Sequence, residues 1–163
     1  MKGQMWSMDF IISFIMFFMA VVLVLFAWDY ATTENYEQML FNDMQSTGLI
    51  VSDVIVRTSG SPQDWNMTAM AIGLASEENT IDENKLRNFV FYMDYNDSRR
   101  IMGMGSYEYY FIMKNLDNQT MLIDGQPTVK GNYPPVYVKN IVPVERYVLY
   151  GGELAKLSFI VWL

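Results

Sequence analysis

The sequence predicts an α+β protein. A long N-terminal helix, transmembrane in its first half and amphipathic in its second, should pack on a C-terminal antiparallel β-sheet. Three observations carry this expectation. Residues 10–28, FIISFIMFFMAVVLVLFAW, form an unbroken apolar run without charge, Gly or Pro. Beyond it no Pro occurs until Pro62, while apolar residues return at three- and four-residue steps. From Tyr107 onward the period changes to two, in segments rich in aromatic and β-branched residues.

The apolar run comes first. As a helix, its 19 residues rise about 28 Å, close to the hydrocarbon thickness of a bilayer. A cleaved secretory leader would need a basic start, a shorter apolar stretch and a small-x-small site, and FAWDYATT offers no good Ala-x-Ala. A plain uncleaved anchor explains the hydrophobicity by itself. Lys2 is the only basic side chain ahead of the run, whereas Asp29, Glu34, Glu37, Asp43 and Asp53 precede the next one, Arg57. That asymmetry favours an N-terminus inside the cytoplasmic membrane and everything after Trp28 outside, with Trp28 and Tyr30 at the outer boundary.

The helix is expected to continue as residues 29–60. Tyr36, Leu40, Met44, Thr47, Val51, Val54, Ile55 and Thr58 make a stripe, with Glu34, Asn35, Gln38, Asn42, Gln45 and Asp53 largely off it. Gly60-Ser61-Pro62 is a stop signal. One helix of about 50 residues, about 75 Å long, results. Gly48 should weaken it and mark a kink. No GxxxG motif points to a simple transmembrane dimer.

Residues 61–163 make up the remaining domain. Residues 61–66 read as a loop with Trp65 folding back, and MTAMAIGLASEEN is ambiguous. Thr80 or Asp82 can cap a helix from about Glu83 to Tyr95, with Leu86, Phe89, Val90 and Met93 on one face. Ser98 can cap a further turn through Met102, closed by Gly103. YEYYFIMK, TMLIDG, PVYVKN, VPVERYVLY and ELAKLSFIVWL read as strands. Asp117-Asn118 and Gly151-Gly152 are turn signals, the second for a tight hairpin. Pro134-Pro135 and Pro143 confine their neighbourhoods to edges or loops.

Composition limits the chemistry. Net charge is −7 and no basic cluster exists, which argues against a nucleic-acid partner. Without Cys or His there is no disulfide, no thiol nucleophile, no Ser-His-acid triad and no common zinc set. No Gly-rich phosphate cradle or other cofactor motif occurs. Asp82-Glu83 and Glu77-Glu78 are adjacent acids of the kind that favour helix starts rather than catalysis. Asp94, Asn96, Asp97 and Ser98 are oxygen-rich but lack the EF-hand spacing, so no metal is expected. Asn66, Asn96 and Asn118 each open an Asn-x-Ser/Thr triplet, making them glycosylation candidates on the outward side.

The string KGQMWSMDF directly before the apolar helix resembles the class III signal peptides of archaeal type IV pilin-like proteins. The resemblance covers about the first 28 residues. It implies a leader of residues 1–3, cut by a prepilin peptidase between Gly3 and Gln4, and an assembly helix over residues 4–28. Ser7, Asp9 and Phe10 match the serine, acid and aromatic that follow the cut. The spacing between Gln4 and Ser7 is one residue longer than the usual pattern, and Asp9 stands where Glu is common. By the same resemblance, the new amine at Gln4 can meet the Asp9 carboxylate of a neighbouring copy; the sequence alone shows an acid at the lip of the hydrocarbon. The long helix with a C-terminal sheet is likewise the pilin-like arrangement. A subunit of a surface filament or pseudopilus, meeting membrane lipid, the peptidase and other copies, is thus the leading expectation. A single-pass tethered binding domain that never polymerises is the second. A membrane-anchored enzyme comes last.

Overall fold

The computed structural model describes residues 3–66 and 68–163, with side chains from residue 8 onward. It has the expected α+β class, a long helix followed by a mostly antiparallel sheet. Helix α1, Gly3–Arg57, is continuous. The chain divides into two compact units, one ending at Phe41 and the other running from Asn42 to the C-terminus.

The second unit holds residues 42–57 of α1 and every strand. In order come β1 (Ala75–Glu77), β2 (Thr80–Ile81), α2 (Glu83–Arg87), a π-helical turn (Asn88–Tyr92), α3 (Tyr95–Ile101), β3 (Glu108–Lys114), β4 (Leu122–Ile123), β5 (Gln126–Pro127), β6 (Val129–Gly131), β7 (Ile141–Tyr150) and β8 (Glu153–Trp162). One sheet has the order β1-β2-β7-β8-β3-β6, antiparallel except where β2 meets β7; β4 and β5 form a separate hairpin.

The β7–β8 hairpin sets the register. Gly151 and Gly152 take φ of 61° and 85°, the left-handed conformations a type I′ turn requires and glycine adopts without strain. Tyr150 then faces Glu153, and the period of two puts Val142, Val144 and Val148 on the same face as Val161, Phe159 and Ala155. Tyr109, Phe111 and Met113 of β3 join that face, and all of these side chains are buried. Leu86, Phe89 and Val90 cover them from α2 and the π turn. Tyr109 stacks on Phe159 at 5.3 Å, and Phe89 meets Phe111 edge-on at 5.2 Å, offset geometries that aromatic rings favour. This aromatic core does the work that disulfides cannot do in a chain without Cys.

Residues 42–57 of α1 lie on β7 and β8. A Cβ at Gly48 would sit 3.2 Å from Val161 Cγ2 and 3.3 Å from Val144 Cγ2, so the missing side chain is what lets the helix backbone approach. Arg146 of β7 donates from Nε to Ser52 Oγ and from a terminal nitrogen to the Leu49 carbonyl. At the other end of this stretch the Tyr107 hydroxyl donates to the Asp43 carboxylate. Two buried lysines complete the unit. Lys85 donates to the carbonyls of Ser59 and Ala75, and Lys130 donates to the Met93 carbonyl with its ammonium 5.3 Å from the Phe89 ring centroid.

Several expectations change. α1 passes Gly48 without interruption and ends at Arg57 rather than near residue 60. Tyr36 of the expected stripe is exposed; within the second unit Val54 and Thr58 are exposed while Gly48, Ser52 and Val56 are buried, because the sheet meets residues 42–57 slightly to one side of that stripe. The single helix expected from Glu83 to Tyr95 breaks at Met93, where the backbone turns extended, and α3 restarts with Asp94 as its cap instead of Ser98. Asp82, by contrast, is the cap of α2, accepting from the Lys85 amide at 3.0 Å. The ambiguous stretch supplies β1. Residues 135–140 are not a strand: consecutive prolines remove two ladder donors, and Val136 and Tyr137 are almost fully exposed. The neighbouring strand is β6 instead. Pro143 does lie within β7, at a position pairing with Ile160 on one side only, since β2 touches β7 just at Leu149. There a missing N–H costs no ladder bond.

Two outcomes follow. Gly48→Leu should destabilise the second unit by about 1–3 kcal/mol, the scale of overpacking, measured by urea unfolding of the detergent-solubilised chain. Burial pushes the Lys130 ammonium down to about 8, against a smaller opposing pull from Asp94. Between about pH 8 and 10 the unfolded chain therefore holds more protons, and stability should rise with pH across that window. Lys130→Met should abolish the rise in the same unfolding measurement.

Candidate functional site

From residue 8 to residue 28 the side chains of α1 have no cover. Phe10, Phe14 and Phe18 stack successively at 6.4 and 6.3 Å along one side of the helix, as four-residue spacing requires. The other sides are as apolar, and none of the span is buried. By length and composition this segment can cross a membrane, and it is compatible with a membrane anchor. Its 13 Leu, Ile, Phe and Val residues between positions 10 and 28 favour insertion by on the order of 5 kcal/mol at 0.3–0.6 each.

Both ends of the span are marked by polar groups. Asp9 is exposed, one residue ahead of Phe10, and has no ion pair or hydrogen bond among the described residues. Its place matters energetically. At the centre of a bilayer a carboxylate would cancel about 3 kcal/mol of the insertion term, whereas at the boundary water reaches it. At the far end, Thr32 Oγ1 donates to the Trp28 carbonyl at 2.8 Å and Thr33 Oγ1 to the Asp29 carbonyl at 2.9 Å. The Tyr30 hydroxyl donates to Glu34 at 3.2 Å. These local bonds satisfy the hydroxyls along the helix, which continues through this polar stretch. Of the remaining residues at the start, Lys2 lies outside the described residues, as do the side chains of Gln4 and Ser7, while Gly3 begins the described helix.

The other candidates fall into place within the second unit. Glu83 pairs with Arg87 at 2.9 Å, and Glu78 lies 3.5 Å from Arg57. Asp94 accepts from the amides of Asn96 and Asp97, while the Ser98 hydroxyl turns inward, so the oxygen-rich group does not converge. Asn66 is exposed, but its triplet includes Met67, outside the described residues. Asn96 is exposed in the first turn of α3, not in a loop. Asn118 is exposed in the turn after β3 with φ of 60°.

A polar cluster invisible to sequence reasoning ties α3 to β3. Glu108 accepts from the Tyr95 hydroxyl and pairs with Arg99 at 3.0 Å, and Arg99 also donates to the Tyr107 carbonyl. Burial, then the bond to Glu108, pushes the Tyr95 hydroxyl up to about 12. Burial raises Tyr109 as well, although its bond with Ser98 opposes the shift. Both tyrosines stay neutral across physiological pH and serve as hydrogen-bonding posts.

No family model, curated protein or solved structure matches this chain.

Met19→Arg, at the middle of the apolar run, should lower the insertion free energy by about 2.5–3.5 kcal/mol. Alkaline carbonate extraction of membranes should show it as a marked shift to the soluble fraction. Met70→Arg, at an exposed position of the second unit, should leave extraction unchanged.

Proposed function

We propose that this chain is a structural subunit, major or minor, of an archaeal type IV pilus-like surface filament or pseudopilus. It is held first in the cytoplasmic membrane by residues 4–28 and then assembled with other copies, or other pilin-like subunits, through that same helix. The observation that carries the reading is the uncovered apolar half of α1, continuous with a half that is built into an α+β unit. An anchor needs only the apolar half. A subunit also needs an N-terminus that can be processed, and the KGQMWSMDF string supports that requirement.

In this account a prepilin peptidase removes residues 1–3 and frees the Gln4 amine. Asp9 then has a role that lipid alone does not give it. When helices pack together, the carboxylate leaves water, and an uncompensated charge there costs several kcal/mol. The Gln4 amine of an adjacent copy offsets it. The charge pair thereby favours one axial register of helices over others, since apolar contacts alone are non-directional.

Mass spectrometry of the protein from native envelopes tests the processing. A mature chain beginning at Gln4 is expected; an intact Met1, or cleavage beyond Trp28, contradicts it and favours a single-pass tethered domain. Asp9→Ala should leave membrane insertion intact while lowering filament yield at least tenfold, scored in the sheared surface fraction. Unchanged yield would remove Asp9 from the assembly step.

A further inference from the structure

We infer that Asn118 is an N-glycosylation acceptor of this chain and that the matching triplet at Asn96 is silent in the folded protein. The inference rests on the proposed function, with everything after Trp28 on the outer side of the membrane. Both triplets satisfy the Asn-x-Ser/Thr pattern, so sequence cannot separate them. Their third residues can. A motif that demands a hydroxyl two positions after the asparagine requires that hydroxyl to be available to the enzyme reading it. Ser98 is fully buried; its Oγ bonds the Tyr95 carbonyl at 2.7 Å and the Tyr109 hydroxyl. Asn96 is also fixed in the first turn of α3, where Asp94 holds its backbone amide. Presenting this triplet would mean unwinding α3 and exposing Tyr109 from the aromatic core.

Asn118 differs at each point. It lies in a tight turn closed by the Asn118 amide on the Asn115 carbonyl and by the Gln119 amide on Asn115 Oδ1. Its backbone is left-handed, a conformation that asparagine tolerates better than most residues. Leu116, Asp117 and Gln119 around it are exposed. The Thr120 hydroxyl has no hydrogen-bond partner among the described residues. Lys156 Nζ donates to Asn118 Oδ1 at 2.8 Å, which engages the oxygen and leaves Nδ2, the atom that would take the sugar, without a partner among the described residues. Glycosylation would therefore keep the Lys156 contact. In the reaction, Nδ2 bonds the anomeric carbon of an oligosaccharide carried on a polyprenyl phosphate or pyrophosphate. The anomeric C–O bond to phosphate breaks, the lipid phosphate leaves, and an amide proton passes to a base of the transferase.

The test uses the full-length chain with Asn66→Gln, expressed in cells whose oligosaccharyltransferase acts on the outer face of the membrane. Because the chain has no Cys, Glu153→Cys at the exposed hairpin reports orientation through a membrane-impermeant maleimide on intact cells. Intact mass should show one added oligosaccharide, lost with Asn118→Gln and with Thr120→Ala, retained with Thr120→Ser, and unaffected by Asn96→Gln. A maleimide-labelled chain with unmodified Asn118, or a sugar that disappears with Asn96→Gln, overturns the assignment. A chain that the maleimide does not label overturns the outward placement, and the assignment with it.

Discussion

Residues 8–28 form a helix that satisfies its own backbone hydrogen bonds, and none of the apolar span is buried. A helix is one of the few structures whose polar backbone needs nothing from its surroundings, so the environment of this segment is decided by side chains alone. Water is the least favourable choice, by on the order of 5 kcal/mol relative to lipid. A bilayer suits it, and in the proposed filament the equivalent helices of other copies would take the lipid's place. Neither requires a change in the helix itself, only a change in what touches it.

The second unit accordingly stands on its own core. Its sheet is fixed by one two-residue turn at Gly151-Gly152, and the resulting register aligns Val142, Val144 and Val148 with the buried residues of β8 and β3. Gly48 lets α1 settle on that surface, and Arg146, Ser52, Tyr107 and Asp43 hold it there through directional bonds. Apolar packing supplies most of the stability, whereas those bonds choose one seating of the helix among several of similar apolar area. Between residues 28 and 34 the helix continues, with the hydroxyls of Thr32, Thr33 and Tyr30 bonded locally along it. The same backbone element thus passes from an apolar to a polar surface without a loop.

Local signals were legible and non-local ones were not. Asp82 caps α2 and Gly151-Gly152 makes the hairpin because caps and tight turns depend on residues within three or four positions. β3 was clear from its alternation. β6 escaped because three residues, one of them glycine, carry no period. Residues 135–140 resemble a strand in Val and Tyr content, yet Pro134 and Pro135 decide otherwise. The π turn and break at Met93 were hidden because the Met93 carbonyl accepts its hydrogen bond from Lys130, 37 residues away in sequence. At the site, the apolar run and the position of Asp9 were plain from sequence. What separates Asn118 from Asn96 was not, since it lies in the burial of Ser98 against Tyr109.

The proposed account stands or falls on what replaces lipid around Phe14. A photoreactive phenylalanine analogue at that position, activated in native envelopes, captures its neighbours directly. Surface material should yield covalent multiples of this chain or adducts with related subunits, and the membrane fraction should yield adducts with lipid. Lipid adducts alone, with the chain a monomer in every fraction, would contradict the exchange of lipid for protein.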